Sequence, residues 1–105
     1  MGKKEKIVQE LKAFRDRMSE HYPIAEMIFF GSIARGEARE GSDIDLIIVS
    51  EKFKGMNFMK RAARAYDHWA LDYPVDFLCY TPEEFEKRRK RIGLVAQAIE
   101  EGIAI

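Results

Sequence analysis

The hydrophobic positions change period several times along the chain, and each change marks an element. Ile7, Val8, Leu11, Phe14 and Met18 recur at helical spacing with Lys, Arg, Glu and Gln between them, so residues 3–21 read as an amphipathic helix closed by Tyr22-Pro23. A strand over Ile24–Phe30 follows, whose apolar run Met27, Ile28, Phe29, Phe30 stops abruptly at Gly31-Ser32, the pattern of a buried strand running into a tight turn. Ser32–Ala38 reads as a short helix that Gly36 ends early, and residues 37–42 connect it to a second strand, Asp43–Ser50. After the polar loop Glu51–Gly55, the stripe Met59, Ala62, Ala63, Tyr66, Trp69 and Ala70 predicts a second long helix over about residues 56–71, packed on the core through that stripe. Asp72-Tyr73-Pro74 breaks it, and Val75–Tyr80 is the third strand. Thr81-Pro82-Glu83-Glu84 combines a capping hydroxyl, a proline at the first helical position and first-turn acids, which predicts a helix over 82–91. Beyond Gly93, the residues Leu94, Val95, Ala98 and Ile99 give one more short apolar face, ended by Gly102 before the tail Ile103-Ala104-Ile105.

Helices alternating with short strands predict an α/β (α+β) fold, a small mixed sheet flanked by helices. The 105 residues fit one domain, 1–105, with a single core and no room for a separate acceptor-binding domain. Eighteen Lys and Arg balance eighteen Asp and Glu, so no global basic charge points to nucleic acid. The basic run Lys87-Arg88-Arg89-Lys90-Arg91 is better read as a solvated helix face than as a nucleic-acid patch. A single cysteine, Cys79, allows no internal disulfide and is placed in the core. No apolar run reaches membrane-spanning length, and the charged start MGKKEKIVQE lacks the hydrophobic segment of a signal peptide, so the cytoplasm is the expected location.

The chemistry concentrates between Phe29 and Val49. Gly31 permits close approach of the backbone, and Ser32 at the start of a short helix adds a hydroxyl to unpaired amides, a combination suited to phosphate. Asp43 and Asp45 alternate with Ile44 and Leu46, which puts both carboxylates on one face of the strand. Two such charges beside an apolar strand are costly unless a cation or solvent relieves them. Oxygen-only donors suit Mg²⁺, which completes its octahedron with water and a substrate phosphate.

Gly31-Ser32, ten intervening residues and Asp43-Ile44-Asp45, written GSIARGEAREGSDIDLIIV, resemble the GSx₁₀DxD signature of the polymerase-β-like nucleotidyltransferases, in particular their minimal, MNT-type branch. The resemblance covers about residues 24–80. It implies that Ser32, Asp43, Asp45 and Asp76 converge at one edge of the sheet, with Asp76 as the third carboxylate. It further implies Mg²⁺ held by Asp43, Asp45 and Asp76, nucleotide bound by Gly31 and Ser32, and transfer of AMP from ATP to a hydroxyl. Asp76 would hold a second ion or accept the hydroxyl proton. Minimal nucleotidyltransferases often accompany a helical HEPN-domain protein as its antitoxin, through complex formation, adenylylation of a tyrosine, or both. A non-catalytic module that masks such a partner, and a transferase acting on an aminoglycoside-like small molecule, are the alternatives. The intact acidic set favours activity.

Arg35 is divided between phosphate contact and pairing with Glu37 or another acid, and His68 is read as a surface or cap residue. The acceptor side of such a site needs another chain, either a HEPN-domain protein or a second copy of this one. The expected contacts are the tail Ile103-Ala104-Ile105 and the exposed parts of Phe53, Phe58 and Tyr73.

Overall fold

Helix α1 (Lys3–Ser19) follows the first apolar stripe, with Ile7, Leu11, Phe14 and Met18 all buried. In the computed structural model, which describes residues 2–37 and 39–105, the chain then turns through Tyr22 into β1 (Glu26–Phe30). This strand begins at Glu26, two residues later than the expected Ile24, whose carbonyl accepts from the Arg15 guanidinium (3.1 Å). Helix α2 (Gly31–Ala34) is a single turn closed by Gly36 at φ +78°. It is shorter than the expected Ser32–Ala38, of which Ala38 lies outside the described residues.

Strand β2 (Ile44–Val49) is followed by a 3-10 turn (Glu51–Phe53), α3 (Phe58–Tyr66), β3 (Val75–Tyr80), α4 (Pro82–Arg89), α5 (Leu94–Glu101) and β4 (Ile103–Ala104). The sheet order is β3-β2-β1-β4, parallel between β2 and β3 and antiparallel elsewhere, which is the mixed sheet expected from the sequence. Strand alternation sends Leu46 and Ile48 of β2 into the larger core with α1, and Ile47 and Val49 into a smaller one with Phe85 of α4 and Val95 and Ala98 of α5. Helix α4 carries the capping box read from the sequence: Glu84 N–H donates to Thr81 Oγ1 (3.2 Å), and Thr81 N–H donates to Glu84 Oε1 (2.8 Å).

Two expectations are corrected. Helix α3 is shorter than 56–71 and the expected stripe divides: Ala62 and, beyond the helix, Trp69 pack on the main core, Met59, Ala63, Tyr66 and Ala70 are exposed, and Arg61 and Ala65 are the fully buried positions. The cause is the bare edge of β3. Ile44 N–H and Ser50 N–H take the Pro74 and Tyr80 carbonyls, so the alternate carbonyls of β3 point away from the sheet. Tyr66 Oη donates to Val75 O (2.6 Å) and Arg61 to Cys79 O (3.0 Å), capping two of them. The tail is likewise not a free apolar patch. Ile103 and Ala104 pair with Phe29 and Ile28, Ile105 N–H donates to Met27 O (2.8 Å), and Arg15 donates to Ile105 O (2.9 Å). Phe53 is fully buried and Tyr73 packs partly buried on the main core, so of the proposed contacts only Phe58 is an exposed large apolar side chain.

Arg61 also donates to Glu84 Oε1 (2.6 Å) and to the Met56 carbonyl (2.9 Å), tying α3, β3 and α4 together. Its hydrogen bond holds the Glu84 carboxyl below its usual range, with burial opposing and the Thr81 N–H assisting. Arg61→Ala is expected to cost about 2–4 kcal/mol, at the lower part of the buried-pair range because Glu84 retains solvent access. Arg61→Met should cost less, since it keeps the packing against Phe53 and Phe58. Urea unfolding of both variants checks the order.

Candidate functional site

Three strand ends meet on the sheet face that α5 covers. The last residue of β1, Phe30, pairs with Asp45 of β2, and Asp45 stands in register with Asp76 of β3. Because parallel partners in register project to the same face, both carboxylates point to the α5 side. They form the floor of a cleft of about 300 Å³, with Gly31, Ser32 and Arg35 on one flank and Leu94, Gln97 and Glu101 on the other. Larger hollows lie between α1 and residues 70–73 and beside His21 and His68, about 440 and 670 Å³. Neither contains a Gly-Ser turn facing two in-register carboxylates, as this cleft does.

The turn is built around Asp45. Gly31 adopts φ +86°, and a Cβ there would overlap Asp45 Oδ2 and lie 3.0 Å from its Cγ. The group that comes close to Gly31 is therefore the protein's own carboxylate. Burial raises the Asp45 carboxyl above its usual range, the charges of Asp76 and then Asp43 raise it further, and Arg35 partly opposes them. Asp43 itself is exposed one residue before β2, held there by a turn in which Arg39 N–H donates to Ser42 Oγ (2.9 Å). It acts on Asp45 by charge and does not line the cleft. Among the described residues no three acidic, histidine or cysteine side chains form a ready-made metal centre. Two in-register carboxylates whose negative charge Arg35 relieves only in part nonetheless match the donor chemistry of a hard divalent cation that takes one or two protein carboxylates.

Ser32, half-buried, is the second residue of α2, where amides have no intrahelical partner. A one-turn helix contributes little dipole, so the hydroxyl and the amides are the anion donors here. Ser32→Ala should weaken nucleotide binding by about 1–3 kcal/mol, the range of a hydrogen bond to a charged acceptor, without unfolding the chain. Isothermal titration with a nucleoside triphosphate measures it. Arg35 pairs with Glu37 (3.1 Å) and reaches Glu101 of α5 (3.7 Å), the acid-pairing reading of this residue, at the rim of the cleft. The α5 wall escaped the sequence reading, because Leu94, Gln97 and Glu101 reach the site only through packing between distant segments. Cys79 is buried, with its thiol pushed up to about 12 by desolvation, and serves as core rather than nucleophile.

The model of the nucleotidyltransferase domain matches residues 11–103. The chain belongs to this family. A candidate nucleotidyltransferase from Sulfolobus solfataricus is similar in structure, with a TM-score of 0.67 and 20% identity over 96% of this chain and 80% of that one. BolA1 from Arabidopsis thaliana matches 70% of this chain and 92% of its own with a TM-score of 0.53 and 22% identity, a likeness of fold alone. No curated protein matches. The fold and the family together make this a polymerase-β-like nucleotidyltransferase domain, and nucleotidyl transfer is its general activity. No helix among the described residues of this nucleotidyltransferase is long and apolar enough to cross a membrane.

Proposed function

We propose that this nucleotidyltransferase moves AMP from Mg·ATP onto a hydroxyl of a partner protein, as the MNT antitoxin of a HEPN-type partner. The observation that carries the reading is the in-register pair Asp45–Asp76 beside the Gly31-Ser32 turn. Asp45 and Asp76, with Asp43 at the entrance, would hold Mg²⁺. When bound, that ion neutralises triphosphate charge and eases loss of the acceptor proton. Ser32 and the first amides of α2 hold the phosphates and fix the α-phosphorus above the two carboxylates. The acceptor oxygen forms a bond to the α-phosphorus as the bond to the bridging oxygen breaks, and pyrophosphate departs with that electron pair. Asp76, exposed to solvent in the cleft floor beside Asp45, takes the hydroxyl proton. No covalent intermediate on the protein is needed, since such displacements rest on positioning and charge.

At about 300 Å³ the cleft is at the small end of ligand sites, which suits phosphates rather than a nucleotide together with a second small substrate. An acceptor presented from outside on another protein fits this better than an enclosed aminoglycoside. The test is α-labelled ATP with Mg²⁺, incubated with the protein and the co-expressed product of the neighbouring reading frame. Label on a tyrosine of the partner supports the reading. Label on no chain, with thermal shifts by Mg·ATP equal in the parent and in Asp43→Asn/Asp45→Asn, would remove it.

A further inference from the structure

Helix α3 is amphipathic with its polarity inverted. Its buried side carries Arg61 and Ala65, while Met59, Ala63 and Tyr66 recur on the outer side, with Phe58 alongside and Ala62 partly buried against the main core. Met59 is 85% exposed, Phe58 56% and Tyr66 51%. Large apolar side chains in one continuous stripe are not a usual solvent face for a helix of a soluble monomer. The two residues that turn the helix this way, Arg61 and Tyr66, hold it along the outer edge of β3. The stripe therefore runs beside the strand that carries Asp76, and its Tyr66 end is bonded at Val75, the residue before Asp76.

The charge beside the stripe identifies what covers it. Lys60 and Arg64 lie together along one flank at i and i+4, and the helix holds no acid. Lys60 has no acidic partner among the described residues, and Arg64 reaches only Asp67 at the C-cap (3.2 Å). In an antiparallel pairing of two copies, the commonest arrangement about a two-fold axis, Lys60 and Arg64 would oppose their own counterparts. We infer that the outer face of α3 is the docking surface for an amphipathic helix of a different protein, one with an apolar stripe and a row of Asp or Glu facing Lys60 and Arg64. Ala63 lets the two backbones approach, and Met59, Phe58 and Tyr66 grip the ends. A helix seated there lies across α3 from β3, the strand that carries Asp76. This rests on the reading that the acceptor hydroxyl arrives on another protein, and it assigns that protein a place to sit.

Two probes test it: synthetic peptides of about 20 residues, long enough to be helical, with the same Leu/Ala stripe and either Glu or Lys along the flank. The Glu-flanked peptide should bind the intact protein at least about 10-fold more tightly, a difference of about 1.4 kcal/mol. Met59→Glu/Ala63→Glu should remove binding, and Lys60→Glu/Arg64→Glu should invert the preference between the two peptides. All four positions are exposed, and circular dichroism checks that the variants fold. Equal binding of both peptides, or no effect of either double variant, would overturn the inference. So would light scattering that shows a dimer dissolved by Met59→Glu/Ala63→Glu, which would give the surface to a second copy. Transfer of label to a protein acceptor at an undiminished rate in Met59→Glu/Ala63→Glu would also overturn it, while leaving the transferase reading intact. Selective peptide binding without any transfer would support the surface and count against the transferase reading alone.

Discussion

Asp45→Asn should abolish nucleotidyl transfer and leave a protein at least as stable as the parent at neutral pH. The loss should be at least about 100-fold in kcat, because groups that merely orient a metal ligand already cost 10–100-fold and Asp45 is placed to bind directly. Its central position supports this: it is in register with Asp76, packed against Gly31, and within the field of Asp43 and Arg35. The gain in stability follows from the same arrangement. Burial, Asp76 and Asp43 all disfavour the Asp45 anion, so the folded-state carboxyl titrates above its unfolded value. Such a group contributes stability that is fully present below the unfolded pKa and is lost as pH rises through the folded one. Without Mg²⁺, the parent should therefore lose stability as pH climbs out of the acid range, and Asp45→Asn should lose less over the same interval. Chemical denaturation across that window, in the presence of a chelator, reads the difference. An active Asp45→Asn, or one that melts well below the parent at neutral pH, would contradict the placement of this carboxylate.

The parts of the fold that were legible in advance are those written in local chemistry. Strand β3 begins and ends where Pro74 and Thr81-Pro82 demand, and α4 starts at a complete capping box. The Gly31-Ser32 turn and the acids after it were visible as spacing alone. What stayed hidden depends on which segments become neighbours. Helix α3 has an apolar stripe that binary patterning assigns to the core, yet the edge carbonyls of β3 need donors, and Arg61 and Tyr66 supply them, which leaves Met59 and Ala63 outside while Ala62 and Trp69 still pack on the core. Strand β4 is two residues long and exists only because β1 offers it a ladder. The pairing of Asp45 with Asp76 depends on the register of a parallel ladder that joins residues 31 positions apart, and no local pattern encodes that register. The α5 wall is hidden for the same reason. Of the two acids that the spacing pairs, Asp45 lies within β2 and lines the cleft, and Asp43 stands exposed just before the strand.

Gly31→Val is expected to damage both fold and function more than any other single change at the cleft. Two costs combine there. At φ +86° a β-branched residue is strained by about 1–3 kcal/mol before any contact is considered. The added side chain must then displace the Asp45 carboxylate, whose Oδ2 occupies the space a Cβ would take. A total of about 2–4 kcal/mol corresponds to a fall in melting temperature of about 10 °C or more for a domain of this size. Gly36 separates the two costs. It has φ +78°, close to that of Gly31, but a Cβ there would meet nothing within 4 Å. Gly36→Ala should thus carry the backbone cost alone, and the excess loss in Gly31→Ala measures the carboxylate contact. Adding Asp45→Gly to Gly31→Ala should restore most of that excess while activity stays absent, a coupling that a double-mutant cycle reads directly. If Gly31→Val melts with the parent and turns over normally, Asp45 does not sit against this turn, and the cleft described here is not the site of transfer.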